Sequence, residues 1–497
     1  MKYLTYKIDQ KTDYDPNFVG LGCYDGLKFN YFNDILLFFD FFLTKKFENS
    51  IFFAHRGGKF DVKHIIYNRN YLLSKDFKLK AISIAQNLIL TVSHKKSRWV
   101  FADSYLILPA DLEYAAKTFN VRHQIFRPSG KFKNNNTDID KAYNRNYVQA
   151  LYECLAYFFK IIVVKRNKMT ISSAVLEHYK NVFFNFKKYS KVLDGTMEAL
   201  VRESYKGGRF QVLKPFLKSG YYYDINSAYP SIMATNLMPS GFFYRTKRRD
   251  AEKIGFYRCK VFSPPQDLDL LCVKERIKDF ERLIFKSGFF EGTFVSCELD
   301  KLKSIGGEYE ILEGIEFEDK IDMFSSFVKH FYNMKIKAKY ENNESMYFLA
   351  KQILVSLYGK FGQKRDVEAL YILDDDDVKI KDMDYEFNSE LGIYAKKELN
   401  RSRSIMPQIS SYITALLRCK VFDMIQKIGY NNVYYVACDS IFTDKEIKCE
   451  NTGKLGELEF KGFASNIVFN DINDYSGFIN NEFKRAKAGV LKANLIN

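Results

Sequence analysis

Tryptophan is almost missing from this chain: one residue in 497, against 46 Phe and 35 Tyr. Proline is scarce too, with nine, and no Pro-, Gly- or Ser-rich linker interrupts the sequence. The eight cysteines, at 23, 154, 259, 272, 297, 419, 438 and 449, form no CxxC pair, and the six histidines form no HxxxH pair. These gaps exclude the usual zinc spacings and a disulfide framework and point to a reducing, cytoplasmic setting. Long apolar runs are lacking as well. Ile35–Leu43 is broken by Asp40 and Leu155–Val164 by Lys160; both are too short to cross a bilayer and read as buried helices. Met1-Lys2-Tyr3 leads into mixed polarity, unlike a secretory signal, so a secreted or membrane-bound protein is not expected.

What the chain does have is positive charge, a formal net +16. A balance of this size suggests a polyanionic partner, nucleic acid before membrane surface. With 47% apolar residues the chain can build cores, and its length suggests two to four domains. The first third mixes strand-like runs (3–8, 51–55, 88–92, 99–102) with helical ones (34–42, 112–118, 147–161), an α/β pattern ending between residues 170 and 200. Beyond it, strands near 221–224 and 433–443 enclose long helices expected at 318–338, 345–358 and 409–428, an α+β arrangement. Polar stretches around Asn134–Asn136 and at Asp374–Asp377 read as surface loops.

Four segments carry chemistry. In Tyr221–Ser231 a β-rich run delivers Asp224 at its end, then a turn, then a helix with Pro230 in its first turn. Such an Asp can hold a hard cation, and the N–H groups of the turn can receive phosphate oxygens. Val433–Thr443 sets Asp439 within an apolar β run, where a cation or a tight turn must account for it. Carboxylates from two strands could hold two Mg²⁺ ions for phosphoryl transfer. In Lys351–Phe361, helical spacing puts Lys351, Val355 and Tyr358 on one face, with Lys339 some three turns earlier on the same side. A Lys face can grip a triphosphate and a Tyr can pack on a base; a solvated Lys and a core Tyr would explain the segment equally. Tyr205-Lys206-Gly207-Gly208-Arg209 is a Gly turn between basic and aromatic residues, suited to close approach by DNA phosphates.

In this order the segments resemble the family B DNA polymerases, most of all the protein-primed branch of small phages and linear plasmids. Tyr205–Arg209 is similar to the YxGG element, Asp224–Ser231 to motif A (DxxSLYPS), Lys351–Gly359 to motif B (KxxxNSxYG) and Tyr435–Ser440 to motif C (YxDTDS). The resemblance implies that Asp224 and Asp439, helped by the Ile225 carbonyl, hold two Mg²⁺ ions, with Mn²⁺ as an alternative. It implies that Ser227, Ala228, Tyr229, Lys339, Lys351 and Tyr358 bind the incoming nucleotide, with Tyr229 excluding a ribose 2′-hydroxyl. Tyr205, Gly207, Gly208, Arg209, Ser356, Gly359, Lys360 and Arg418 are implied to contact DNA. The partners implied are template and primer DNA, dNTPs and a terminal priming protein, acting on a monomer. The N-terminal third resembles the DEDD 3′–5′ exonuclease. Asp9 falls in its first motif, His55–Asp61 in its second, Phe101–Pro109 in the following primer-strand segment and Tyr143–Tyr147 in its third.

The fold expected is thus an α/β exonuclease-like domain (1–190) followed by an α+β right-hand polymerase. Its parts are a first palm section (191–261), an insertion resembling the terminal-protein-contacting region (262–330) and fingers (331–361). A candidate strand-displacement insertion (362–403), a second palm section (404–475) and a short thumb remnant (476–497) follow. The sequence departs from the family at Lys11 and Tyr147, which replace exonuclease carboxylates and leave Asp9 and Asp61. Arg56 replaces an Asn there, and a cation beside the site opposes metal binding. Proofreading is therefore expected to be weak or absent. Ala437 and Val355 replace polymerase-motif residues. An active polymerase is the first reading, since Asp224, Asp439, Tyr229 and Lys351 are all kept. A catalytically degenerate homologue that only binds DNA or a replication partner is the second.

Overall fold

The computed structural model describes residues 2–12, 15–84, 87–125, 138–165, 168–185, 189, 193–277, 280–363, 366–372, 385–388, 393–401 and 405–487. The chain forms two compact units. One comprises Met1–Val182, Lys337–Ile353 and Lys364–Arg403; the other comprises Phe183–Ile336, Leu354–Gln363 and Ser404–Asn497.

The first unit is built on a ten-stranded mixed sheet. Its centre is Ile51–Ala54, fully buried and paired in parallel with both Tyr3–Thr12 and Ser97–Asp103. A strand covered on both faces reads as an unbroken apolar run, here Ile-Phe-Phe-Ala. The helix Ile35–Phe42 begins where the Asp34 carboxylate accepts from the Leu36 N–H at 2.8 Å, and it buries Ile35, Phe38, Phe39 and Phe42. The helix Asp138–Ile161 lies against Tyr3–Thr12 and Asp15–Tyr24, fastened by the buried Thr5 hydroxyl donating to the Val148 carbonyl at 2.7 Å. Asp366–Ile372, Ile393–Arg401 and Tyr385–Asn388 extend the sheet beyond Lys78–Ile84 as antiparallel strands. The stretch 362–403 thus adds strands to this sheet. The polar segments Asn134–Asn136 and Asp374–Asp377 lie outside the described residues.

The second unit holds a seven-stranded antiparallel sheet, in the order Glu482–Lys487, Asp474–Ile479, Leu458–Asp471, Phe216–Ile225, Ser440–Thr443, Val433–Ala437, Phe210–Val212. Stacked aromatics line one face, Tyr222 on Phe442 at 4.7 Å and Tyr435 on Phe469 at 4.8 Å between centroids. The helix Pro407–Ile428 starts with Pro at its first position, where no N–H is needed. It buries Ile409, Ile413, Leu417, Val421 and Ile425 and packs on the helices Gly195–Ser204, Ala228–Thr235 and Ser296–Ser304. A four-stranded sheet (Met238–Thr246, Glu308–Ile321, Ile254–Ser263, Gly288–Val295) and the hairpin Cys272–Ile277/Phe280–Phe285 complete it.

Several expectations are corrected. The helix expected at 318–338 is a strand up to Ile321 and a helix only over Ser325–Tyr340. The stretch up to Ile321 is held as a strand by pairing with Met238–Thr246, and the Asp322 carboxylate then accepts from the Phe324 and Ser325 N–H groups to start the helix. The helix expected at 345–358 stops at Ser356, and Tyr358–Phe361 is a separate turn. The expected boundary at 262 falls inside Ile254–Ser263, which pairs with both Gly288–Val295 and Glu308–Ile321. Those strands belong to one sheet rather than to a detached insertion. The stretch expected from 476 as a thumb remnant holds the strands Asp474–Ile479, in its last residues, and Glu482–Lys487. Among the described residues no helix is long and apolar enough to cross a membrane.

Candidate active site

Antiparallel register brings the two motif carboxylates of the second unit together. Asp224 lies opposite Ser440, so their side chains share a face, and the Ser440 hydroxyl donates to Asp224 Oδ1 at 2.7 Å. Asp439 precedes Ser440 in the tight turn that joins Val433–Ala437 to Ser440–Thr443. The turn is closed by the Asp439 N–H donating to the Ala437 carbonyl at 2.8 Å, and Cys438 takes a left-handed φ of 61°. The Ile225 N–H donates to the Asp439 carbonyl at 2.9 Å. Burial first, then the Asp439 charge, push the Cys438 thiol up to about 12, and Asp224 adds to the rise. Burial raises the Tyr222 phenol too, and both carboxylates contribute. Register and turn thus bring both aspartates to the same end of the sheet. Two hard carboxylates and a nearby main-chain carbonyl are a donor set that fits a divalent oxygen-loving cation. Among the described residues no cluster of three or more His, Cys, Asp or Glu could hold a metal.

The residues around the pair are packed with little slack. Tyr229 stacks on Tyr358 at 4.1 Å, with 19° between the rings, and the Cys438 thiol donates to the Tyr229 oxygen at 3.1 Å. A Cβ on Gly208 would stand 2.7 Å from Cys438 Sγ and 3.1 Å from the Tyr229 oxygen. Only glycine fits there, and Gly207 has a φ of +79°. The Gly turn also carries the carboxylate turn: the Cys438 N–H donates to the Arg209 carbonyl at 2.7 Å, and Phe210–Val212 pairs with Val433–Ala437.

Two arginines expected on DNA are enclosed. Arg209 is 1% exposed. It donates to Gln211 Oε1 and to the Asp269 carbonyl, with its guanidinium 4.1 Å from the Phe285 ring centre. Arg418 is paired with Glu298 at 2.7 Å, both side chains 3% exposed, and it also donates to the Gly207 carbonyl. Both arginines hold the Gly turn from beneath. Tyr205 is half-buried, and so is Ser356; Gly359 is exposed, and Lys360 donates to Gln363 Oε1 at 2.6 Å.

Lys339 and Lys351 are exposed, but on different helices, Ser325–Tyr340 and Glu344–Ser356, separated by the turn 341–343. The single helical face expected for Lys339, Lys351, Val355 and Tyr358 does not exist. Sequence reasoning also missed Lys335. Only 7% exposed, it donates from Nζ to Asn226 Oδ1 and to the Ser227 hydroxyl, both at 2.9 Å, and so braces the turn after Asp224. Asn226 in turn donates to the Tyr332 hydroxyl at 2.8 Å. Glu459, opposite Asp224 on the other neighbouring strand, was missed because strand register cannot be read from local spacing.

In the first unit, Asp9 lies on Tyr3–Thr12 and Asp61 opens the helix Asp61–Tyr67. Burial pushes Asp61 up to about 6, against the hydrogen bond it accepts from the Ile8 N–H at 2.7 Å. Asp103 accepts from the Gly58 and Tyr105 N–H groups at 3.2 and 2.8 Å. Arg56, expected to oppose metal binding, instead reaches the Tyr105 ring and stands 3.8 Å from Asp111. The cation bonded to Asp9 is Lys7. The side chain of Lys11 lies outside the described residues.

Comparison with known proteins bears on the family and the fold. The family model of DNA polymerase type B, organellar and viral, matches residues 129–428. A probable DNA polymerase of Ascobolus immersus is 24% identical, over 89% of this chain and 42% of its own length. One of Neurospora intermedia is 26% identical, over 77% and 46%. The DNA-directed DNA polymerase of Enterobacteria phage PRD1 is 26% identical, over 71% and 60%. The chain thus spans less than half the length of the two fungal proteins. Among solved structures, Phi29 DNA polymerase complexed with primer-template DNA and incoming nucleotide substrates superposes with a TM-score of 0.80. Its identity is 19%, over 99% of this chain and 92% of that one. The likeness is one of fold: an α/β exonuclease-like unit and an α+β right-hand unit.

Proposed function

This chain belongs to the organellar and viral type B DNA polymerases, and on that premise we propose that it copies a DNA template by adding deoxynucleotides to a primer 3′-hydroxyl. The observation that carries the reading is the convergence of Asp224 and Asp439 at the end of one sheet, beside the Tyr229–Tyr358 stack. Asp224, Asp439 and the Ile225 carbonyl would hold two divalent cations, Mg²⁺ before Mn²⁺ on availability. When bound, such ions activate the attacking oxygen and offset charge on the leaving pyrophosphate. The chain's own residues do the positioning. Lys335 and Asn226 hold the turn after Asp224, and Ser227 and Ala228 present its N–H groups to phosphate oxygens. Tyr229, fixed by Tyr358 and Cys438, is the wall that rejects a ribose 2′-hydroxyl. The exposed Lys339 and Lys351 carry the charge a triphosphate needs. Tyr205, Gly207, Gly208, Ser356, Gly359 and Lys360 are assigned to the DNA backbone, with Arg209 and Arg418 supporting them from within. By its resemblance to the protein-primed branch, a terminal protein is the proposed source of the first hydroxyl.

Extension of a labelled primer on a DNA template with Mg²⁺ tests the reading. Wild type should extend it and Asp439→Asn should not. Ala437, which stands where motif C has its first Asp, favours a second reading, DNA binding without transfer. Absence of extension with Mg²⁺ and with Mn²⁺, while DNA binding persists, would establish that reading instead.

A further inference from the structure

The exonuclease-like fold implies a metal pair in the first unit, and the residues there do not fit one. Every oxygen of Asp9 is engaged by the protein. Oδ1 pairs with the Lys7 ammonium, while Oδ2 accepts from Asn144 Nδ2 at 2.8 Å and from the Tyr31 hydroxyl at 3.2 Å. Asp61 Oδ1 is taken by the Ile8 N–H. The ammonium is itself housed. Its nitrogen lies 5.7 Å from the ring centres of both Tyr143 and Tyr147, within the range where an aromatic face attracts a cation. Tyr147 is the residue that stands where the family's third exonuclease motif has its carboxylate. One substitution removed a metal ligand and the same side chain now faces the replacement cation. No cluster of three or more metal-binding side chains exists here among the described residues.

We infer that Lys7 is a resident cation occupying the place of the metal, so that the first unit folds around an internal Lys7–Asp9 pair, binds no divalent ion and cuts no DNA. The Asp9 side chain is 15% exposed, and a carboxylate largely withdrawn from water is stabilised by a counter-charge. A covalently attached ammonium supplies it at all times, whereas a metal can leave.

The test counts Mn²⁺ ions bound per full-length chain, by electron paramagnetic resonance of the free ion, for wild type, Asp9→Asn, Asp61→Asn and Lys7→Met. The readout is ion binding, so failure of primer extension would not bear on it. The inference expects the same count for wild type and both aspartate variants. It expects about one additional ion in Lys7→Met, which leaves the Asp9 charge to be met by a metal, and loss of that ion in Lys7→Met/Asp9→Asn. If Lys7→Met does not fold alone, Mn²⁺ should restore its folding. A wild type that loses an ion on Asp9→Asn or Asp61→Asn overturns the inference, as does a Lys7→Met chain that neither gains an ion nor responds to Mn²⁺.

Discussion

The chain contains two aspartate pairs, one in each unit, and their described neighbours differ. Near Asp224 and Asp439 stand the Ser440 hydroxyl, the Tyr222 phenol and the Cys438 thiol. Against Asp9 stands the Lys7 ammonium. A neutral donor orients a carboxylate without cancelling it, while a cation removes the reason for a metal to bind. Whether an acidic motif is still a metal site thus depends on its neighbours more than on the acids themselves.

The contrast can be broken or sharpened by experiment. The largest effect should come from beneath the second pair. Glu298→Ala leaves Arg418 enclosed without its counter-charge and should cost about 3–5 kcal/mol, read from denaturant unfolding; a loss under about 1 kcal/mol would mean that water reaches Arg418. Asp439→Asn should lower primer extension by roughly 10³-fold, the scale seen when a group stabilising transition-state charge is removed, while Asp9→Asn leaves it unchanged. Equal losses in the two variants would erase the distinction drawn here. Gly208→Ala drives a methyl into Cys438 Sγ and should cost about 1–3 kcal/mol by overpacking. The companion Gly208→Ala/Cys438→Ala should recover most of that loss if the clash is local. The last effect is a pH slope in the first unit. Folded Asp61, at about 6, lies above its ordinary 3.8, so the folded state keeps a proton that the unfolded chain releases. The Asp61 contribution to stability is then greatest below about pH 4 and declines as pH rises to about 6, by at most ~1.4 kcal/mol per pH unit. Asp61→Asn should lack this decline; equal slopes would show Asp61 ionised in the folded protein.

Much of this was legible in the sequence, for identifiable reasons. Asp224 and Asp439 could be found because each ends or interrupts a β-rich run, and Gly208 because a paired glycine marks close approach. The helix Pro407–Ile428 was readable from its period and its first-position proline. What was not legible is non-local. Lys335 looks like any lysine of a basic helix until Asn226 and Ser227 are seen to meet it. Arg209 and Arg418 look like DNA contacts until Glu298, Phe285 and Asp269 are placed around them. Lys7 sits two residues from Asp9, and nothing in the sequence shows that Tyr143 and Tyr147, more than a hundred residues on, come to face it. The break at Leu357 was missed because the apolar pattern runs smoothly across it.

Among the described residues the seven-stranded sheet ends on Glu482–Lys487, and no described strand pairs with its outer edge. In that strand Lys484 and Arg485 are neighbours at the centre, both exposed. If a second copy docked there edge to edge and antiparallel, Lys484 of each would face Arg485 of the other, and like charges directly opposed repel. Lys484 is held by Glu482 of its own strand, and the same pairing would set that Glu482 opposite Lys487 of the other copy, so attraction at the strand ends would offset the repulsion at its centre.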